Sequence, residues 1–251
     1  MILKTHGVAL RIEPFSRTSR TVSWITPDKG RLTTLVKGAQ RPRSGFLGQC
    51  DLFYTCEILY YGGRHSSLHV LKECCAVEFR DNLRTDWKSA ACASYLCDLL
   101  NRLSPEGVPL PDVYRFAWQI LDFLAAKGCS LTVAHWAEIR LLKLLGVAPQ
   151  VADCVACGKA LPKAGSAVGF SVPRGGLLCR ECQPVSAQGI LPLSDDVLAM
   201  LRTWQETPSP TIALRTACTT DQHASLDRLL GAFVDYHLES SRARRIALDL
   251  L

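Results

Sequence analysis

Four cysteines form the clearest chemical pattern in the chain. They stand as two CxxC pairs, Cys154 with Cys157 and Cys179 with Cys182, with 21 residues between the pairs. A two-residue spacing lets a tight turn direct both sulfurs at one ion, and a second such turn completes a tetrahedral shell of four thiolates. Gly158 follows the first pair, where a positive φ lets backbone N–H groups turn toward the thiolates. Two short strands are predicted on either side of Pro173-Arg174. The whole therefore resembles a zinc ribbon, which would hold one structural Zn(II) ion.

Other uses of such cysteines are weighed against structural zinc. A disulfide pair needs an oxidising compartment, but residues 1–6 contain no apolar signal core, so we expect the chain to stay in the reducing cytosol. A thioredoxin-like site needs one CxxC at a helix start rather than two facing pairs. An iron–sulfur cluster also uses four thiolates, although zinc is the commoner occupant of paired CxxC turns on a hairpin. A catalytic zinc is not expected, because four protein ligands leave no position for water.

The other eight cysteines lie mostly in apolar stretches, where a thiol packs as a small hydrophobic group. We therefore expect these residues to fill the protein cores: Cys50, Cys56, Cys74, Cys75, Cys92, Cys97, Cys129 and Cys218. None has the neighbouring His and Asn or Asp pattern of a catalytic nucleophile. The sequence also contains no P-loop, no paired carboxylates and no His-based triad, so no enzymatic activity is expected.

The positive charge of the chain is concentrated near its beginning. The 251 residues carry a net charge of +6, and residues 1–50 hold nine Lys or Arg against two acidic residues, Glu13 and Asp28. Such a concentration is typical of a face that binds a polyanion, and a solvated surface without a partner is the alternative. No stretch reaches the roughly 18 consecutive apolar residues of a membrane span, so no membrane interaction is expected.

The basic region has the pattern of short strands separated by polar turns. Strands are predicted at residues 5–12, 21–26, 31–36, 50–61 and 68–75, with a turn at 27–30 and a basic loop at 37–45. Five strands in so short a segment fit a small closed barrel. The OB-fold is the five-stranded barrel whose loops and open face bind oligonucleotides.

After residue 79 the apolar residues follow helical spacing. Helices are predicted at 83–103 and 113–127, from a cap at Ser130 or Thr132 to Leu145, from about 194 to 206, and at 222–239. The sequence therefore predicts an α+β multidomain protein. Its parts are an N-terminal five-stranded OB-fold domain (1–79) and a C-terminal α-helical domain (80–251) with an inserted four-cysteine zinc ribbon at 150–185.

Several motifs along the chain point to one family. They are Gly7-Val-Ala-Leu-Arg11, Gly30-Arg-Leu32, Val36-Lys-Gly-Ala-Gln-Arg-Pro-Arg43, Glu138-Ile-Arg-Leu-Leu-Lys-Leu-Leu-Gly146, Cys154-Val-Ala-Cys-Gly158, Phe170-Ser-Val-Pro-Arg-Gly-Gly-Leu-Leu-Cys179 and Tyr236-His-Leu238. In order and spacing they resemble the bacterial RecO family of recombination mediators, which are DNA repair proteins. The resemblance covers most of the chain.

Membership of this family implies binding to single- and double-stranded DNA and annealing of complementary strands. It also implies a RecR-type partner, with which the protein loads recombinase onto strands coated by single-strand-binding protein. The helical domain is then expected to receive the C-terminal tail of single-strand-binding protein. The location implied is cytoplasmic and nucleoid-associated.

The candidate DNA-binding residues are the cations of the predicted barrel, because Lys and Arg neutralise phosphates without reading sequence. They are Arg17 and Arg20 after the first strand, Lys29 in the turn (a weaker candidate), Arg31 on the third strand, and Lys37, Arg41 and Arg43 in the next loop. Trp24 and Phe15 are candidates for stacking on bases, although such aromatics more often belong to a core. Further basic candidates are Arg242, Arg244 and Arg245 near the end of the chain and Lys159, Lys163, Arg174 and Arg180 around the zinc site.

Two other classes of function remain open at this point. A zinc-ribbon transcription or translation factor would use the same metal site and a basic barrel, and it would prefer a specific duplex sequence. A structural adaptor would bind protein through the helical domain and ignore DNA.

Overall fold

The computed structural model describes residues 1–63, 67–161, 169–183 and 189–238. The chain forms two compact units, Met1–Gly128 and Cys129–Leu251. The first unit holds a barrel and two helices, and the second holds the remaining helices and a small sheet. The predicted α+β fold class is confirmed. The predicted domains, 1–79 and 80–251, concern parts that fold independently, and this division stays a prediction.

The barrel in the first unit is closed by five strands. They are β1 (Ile2–Pro14), β2 (Arg20–Thr26), β3 (Gly30–Val36), β4 (Thr55–Tyr61) and β5 (Leu68–Glu78), in the order β1-β2-β3-β5-β4. All neighbours are antiparallel except β3 and β5, which pair in parallel over only Thr33↔Leu68 to Leu35↔Val70. Strand β1 closes the barrel because its first half pairs with β4 and its second half pairs with β2. The predicted five-stranded OB-fold barrel is therefore confirmed.

The alternating strand pattern has the expected physical cause. Along β3, Leu32, Thr34 and Val36 are buried, whereas the residues between them are half-buried. Trp24 of β2 is completely buried, and its Nε1 donates a hydrogen bond of 2.9 Å to Thr34 Oγ1. Gly7 makes room for it, because a Cβ there would lie 3.2 Å from atoms of the Trp24 side chain.

Two predicted boundaries in this unit are wrong. The strand predicted from Cys50 begins only at Thr55, because residues 50–54 turn across β1: the N–H of Phe53 bonds to the carbonyl of Ala9 at 3.0 Å. The helix predicted from Leu83 begins at Trp87, after a single 3-10 turn at Asp81–Arg84.

Two helices complete the first unit. Helix α1 (Trp87–Leu103) is capped by the side chain of Asp86, and α2 (Pro111–Lys127) ends at Gly128 with a φ of 80°. Arg80, which is 4% exposed, ties α2 to the barrel. Its Nε donates to Asp122 Oδ1 at 2.7 Å, and its Nη1 donates to Phe53 O at 2.5 Å and to Thr55 Oγ1 at 2.9 Å.

The second unit is built around helix α3 (Leu131–Leu144), which packs against the helices that follow. These are α4 (Asp195–Glu206), the short α5 (Pro210–Ala213) and α6 (Thr220–Leu238); α5 is absent from the sequence prediction. Ser130 caps α3, as expected, by accepting from the N–H of Val133.

A pair of histidines lies where α3 meets α6. The Nδ1 atoms of His135 and His223 are 3.2 Å apart, and His135 is 1% exposed. His135 Nε2 also lies 3.7 Å from Asp227 Oδ1, while His223 Nε2 lies 3.5 Å from Thr132 Oγ1. The side chain of Cys218 also interacts with Thr132.

Within the described residues, the helices are all too short or too polar to cross a membrane.

Candidate metal centre and nucleic-acid interface

The four cysteines of the two CxxC pairs come together on a small three-stranded sheet in the second unit. Strands β6 (Gly169–Ser171) and β7 (Gly176–Leu178) form the predicted hairpin, and β8 (Ile190–Pro192), which the sequence does not predict, adds to the free side of β6. The first pair precedes the hairpin, and the second pair follows β7 directly. The sheet therefore positions both turns at one end of the hairpin.

Backbone hydrogen bonds hold the first turn in place. The N–H of Gly158 donates to the carbonyl of Cys154 at 2.8 Å, and Gly158 has the expected positive φ of 73°. The N–H of Val155 donates to Leu177 O at 2.8 Å, which links this turn to β7. Only glycine fits beside it, because a Cβ on Gly176 would lie 2.4 Å from the Val155 side chain.

The second turn reaches a similar shape without a glycine. Residues Arg180–Cys182 form a single 3-10 turn, and the N–H of Cys182 donates to Cys179 O at 3.0 Å. Only the first turn is followed by a glycine, yet the sulfur atoms of both turns lie close together.

The four sulfur atoms lie within 4.8 Å of one another, and the Sγ atoms of Cys157 and Cys179 are 3.9 Å apart. Tetrahedral zinc with Zn–S bonds of about 2.3 Å places its sulfurs about 3.8 Å apart. Cys154 and Cys179 are buried, Cys182 is half-buried and Cys157 is exposed. The four thiolates therefore fit a four-coordinate metal ion. Among the described residues, they are the cluster of His, Cys, Asp or Glu side chains that is close enough to hold one.

The first turn also favours a thiolate. Burial raises the pKa of Cys154, but N–H donors from Cys179, Cys157 and Ala156 outweigh it and lower the pKa from 9.0 to about 6. The Cys179 N–H lies 3.4 Å from the Cys154 sulfur. Hydrogen bonds to Cys179 and Cys157 raise the pKa of Cys182 from 9.0 to about 12.

Two side chains of the helices fasten the cysteine hairpin to the second unit. Arg202 of α4 donates from Nε to Val151 O at 2.7 Å, just before the first pair. His237 of α6 lies with Nε2 2.7 Å from Val172 O at the tip of the hairpin, and its neighbour Phe233 packs edge-to-face on Phe170. The cysteine site is therefore built into the unit rather than attached by a free loop.

The seven candidate DNA-binding cations separate into two groups at opposite ends of the barrel. Arg17, Arg20, Lys37, Arg41 and Arg43 belong to the first end, where β2 and β3 pair through Arg20↔Val36. The loops meet there: the N–H of Gln40 donates to Thr18 O at 3.1 Å. Lys29 and Arg31 lie at the other end of the same hairpin, next to the Thr26↔Gly30 pair. Six residue steps of strand separate the ends, or about 20 Å.

The two arginines nearest the strands are partly engaged within the first unit. Arg20 donates from Nη2 to Cys50 O at 2.8 Å. Arg31 donates from Nη1 to Asn101 O at 3.0 Å, and its Nη2 pairs with Glu106 at 3.2 Å. Their charges remain, but their guanidinium groups are fixed in position.

Several other cations of the first unit form ion pairs, although Lys29 has none within the described residues. Lys4 pairs with Glu57, Arg11 with Glu13, Lys72 with Glu73 and Arg84 with Asp51. Arg17, Lys37, Arg41 and Arg43 are exposed, and none of them has an acidic partner in the part of the chain that the structure describes. We call these four residues the loop cations. Their charge is not neutralised locally, which is what a phosphate-binding surface requires.

The two candidate stacking residues have different outcomes. Trp24 is completely buried in the barrel core, so the hypothesis that it stacks on bases is wrong. Phe15 is 56% exposed in the loop between β1 and β2, two residues before Arg17, and stays a candidate.

The remaining predictions for cysteines and basic residues are mixed. Four of the eight other cysteines are buried as expected: Cys50, Cys56, Cys92 and Cys97. The prediction is wrong for Cys75, which is exposed, and Cys74, Cys129 and Cys218 are only half-buried. Lys159, Arg174 and Arg180 are exposed around the cysteine hairpin, with Lys159 3.9 Å from Glu181. Lys163, Arg242, Arg244 and Arg245 lie outside the described residues.

An OB-fold barrel with exposed cations in its loops, followed by a helical unit whose four cysteines could hold a metal ion, defines a class of OB-fold protein with a cysteine-cluster module. The sequence comparisons identify which one. Residues 1–80 match the family described as "Recombination protein O N terminal", and residues 84–245 match "Recombination protein O C terminal". The chain belongs to the RecO family of DNA repair proteins.

Individual relatives agree with this assignment. The chain is 30% identical over 237 residues to "DNA repair protein RecO" of Desulforudis audaxviator, covering 94% of this chain and 92% of that protein. It is 29% identical over 253 residues to the protein of the same name from Symbiobacterium thermophilum, covering 100% and 98%. The corresponding protein of Syntrophomonas wolfei is 28% identical over 201 residues, covering 80% and 78%. The predicted family is confirmed.

Proposed function

We propose that this protein binds single- and double-stranded DNA without sequence preference through the loop cations and the adjacent Arg20. The observation that carries the proposal is that four exposed cations without an acidic partner in the described residues share one end of the barrel, whereas Lys4, Arg11 and Lys72 on its strands are ion-paired. Four to five exposed positive charges neutralise phosphates and release counterions, which supplies affinity for any sequence.

Annealing would follow from the same surface. Two complementary strands repel each other, and a cationic surface that contacts both lowers that repulsion over the Debye length of about 8 Å at physiological salt. Phe15 lies on the same loop as Arg17 and would stack on an unpaired base.

The family supports the rest of the proposal. The protein would act in the cytoplasm at the nucleoid, with a RecR-type partner and with the C-terminal tail of single-strand-binding protein, to load recombinase onto coated strands. This role needs binding and release rather than covalent chemistry.

The metal is proposed to be one structural Zn(II) ion held by the four cysteines. Its support is the arrangement of the sulfurs within 4.8 Å and their approach to zinc–thiolate spacing. Four protein ligands leave no open position, so the ion would stabilise the hairpin and take no part in a reaction. Metal analysis of the purified protein should find about one zinc per chain, and X-ray absorption should give Zn–S distances of about 2.3 Å. Iron with sulfide, or no metal, would refute this assignment.

Strand annealing tests the DNA-binding proposal. The double variant Arg41→Glu/Arg43→Glu should anneal complementary oligonucleotides several-fold more slowly while keeping its metal content. The matched control is Lys72→Glu/Arg115→Glu, which changes net charge equally at exposed cations that already pair with Glu73 and Asp112. Equal annealing by both variants would mean that the loops are not the DNA-binding surface.

A further inference from the structure

A second feature of the barrel lies at the end opposite the loop cations. There a cavity of about 750 Å³ opens between β3 and β5. Strands β3 and β5 pair in parallel from Thr33↔Leu68 to Leu35↔Val70, whereas Gly30 and Arg31 of β3 form isolated bridges with Glu106.

The segment after α1 forms one wall of this cavity. The N–H of Arg31 donates to Pro105 O at 3.0 Å, and the N–H of Gly107 donates to Lys29 O at 2.8 Å. Both hydrogen bonds join residues 105–107 to β3 and the turn before it, so they fix this wall of the cavity.

The lining combines cationic, aromatic and apolar groups. Among the described residues, Lys29, Arg31 and Glu106 are its charged side chains. Arg31 is held in position by Asn101 O and by Glu106, while Lys29 is exposed and has no ion pair within the described residues.

Aromatic and apolar surfaces face the cations. His69 is half-buried, and its ring lies 5.3 Å from that of Tyr60. Leu32 and Thr33 of β3 complete the cavity beside them. The lining of one cavity therefore offers a guanidinium fixed in position, an exposed ammonium group and an aromatic ring.

We infer that this cavity receives one nucleotide of a single strand, with its base against His69 and its phosphate at Lys29 and Arg31. The inference rests on the proposed DNA binding and adds a second contact about 20 Å from the loop cations. Its volume falls in the range of about 300–1,000 Å³ that is usual for small-molecule sites. A strand held at both ends fits the site size of about 4–16 nucleotides for one OB-fold.

The first experiment follows amide and His69 ring signals by NMR during titration with thymidine 5′-monophosphate, inorganic phosphate and a (dT)12 oligonucleotide. The nucleotide and the oligonucleotide should shift the signals of Thr33 and His69, and phosphate alone should shift them much less. If phosphate shifts them as much as the nucleotide does, the base makes no contact and the inference is wrong.

The second experiment measures (dT)12 binding by variants over a range of salt. In Thr33→Phe, a larger side chain that is compatible with a strand fills the cavity. This variant should bind (dT)12 at least about fivefold more weakly, which is the lower limit for the loss of one stacked base. Lys29→Ala, at an exposed turn, should lower the magnitude of the slope of log K against log salt by about 0.7. Lys72→Ala, an exposed cation outside the cavity, is the matched control and should keep the wild-type slope.

The outcomes separate this inference from the proposed function. If the wild-type protein binds (dT)12 but Thr33→Phe and Lys29→Ala bind it equally well with an unchanged slope, the cavity is not a DNA contact and the loop surface alone remains. If the wild-type protein binds no oligonucleotide, the proposed function fails and the cavity inference fails with it. Circular dichroism and metal content identify a variant that has misfolded. If Thr33→Phe is misfolded, the salt slope of Lys29→Ala decides whether the cavity contacts DNA.

Discussion

Removing two charges from the loop between β3 and β4 should weaken DNA binding by an amount that depends on salt. The loop cations number four, and each phosphate contact to a single strand contributes a slope of about −0.7 to log K against log salt. Together the four contacts predict a slope of about −2.8 or steeper. Affinity should then fall about 50-fold between 50 and 200 mM salt.

The variant Arg41→Gln/Arg43→Gln removes two of these contacts. Its slope should be smaller in magnitude by about 1.4, so that the same rise in salt costs it about sevenfold in affinity. Fluorescence anisotropy of a labelled oligo-dT at five or six salt concentrations measures both slopes. Lys72→Gln/Arg115→Gln is the control with the same change in charge.

Two results would refute this expectation. A wild-type affinity that is flat over this range would mean that phosphate contacts do not drive binding. A double variant with the wild-type slope would mean that the DNA lies on another surface.

Three further predictions concern stability and the metal. Cys157→Ser leaves three thiolates and should bind zinc at least about 100-fold more weakly, since changes one shell further out already cost about 10–100-fold; Cys75→Ser, which alters an exposed thiol, should keep full zinc in metal analysis. Arg80→Met should lower the free energy of unfolding by about 2 kcal/mol in urea titrations, because it leaves Phe53 O and Thr55 Oγ1 without their buried donor, whereas Arg84→Met, at a half-exposed pair, should cost less than about 1 kcal/mol; equal losses would contradict this. Burial, reinforced by a neighbouring histidine, lowers the pKa of His223 below 6.5, so the unfolded chain binds the proton more readily. The free energy of unfolding should therefore fall as pH drops below about 6.5, and His223→Gln should flatten that fall between pH 7.5 and 5.5.

The sequence predicted local structure well where neighbouring residues determine it. The alternating residues of β1–β3, the cap at Ser130 and the CxxC turns are all local patterns, and the structure confirms them. Strand β8 was missed because three residues, Ile190–Pro192, carry no readable alternation and form a strand only through pairing with β6.

The division of the candidate cations into two ends could not be read from the sequence. Arg31 and Lys37 are six positions apart in the chain and both polar, yet one lies beside Glu106 and the other in an unpaired loop. Partners such as Asn101 O come from distant segments, and only the fold brings them together. Trp24 illustrates the same limit, because composition does not say which face of a strand is inside.

The cavity between β3 and β5 had no signal in the sequence for a related reason. Its lining residues come from β3, from β5 and from the segment after α1, which are far apart in the chain. His69 and Thr33 are ordinary strand residues until the fold places them at one opening.

Annealing of complementary strands that are coated with single-strand-binding protein tests the central claim most directly. The protein should anneal coated strands faster than the spontaneous rate, and Arg41→Glu/Arg43→Glu should lose most of this acceleration while Lys72→Glu/Arg115→Glu retains it. If the protein accelerates annealing of naked strands but not of coated strands, the result would contradict a mediator role. It would mean that the protein binds naked DNA through its basic surface and has no access to coated DNA.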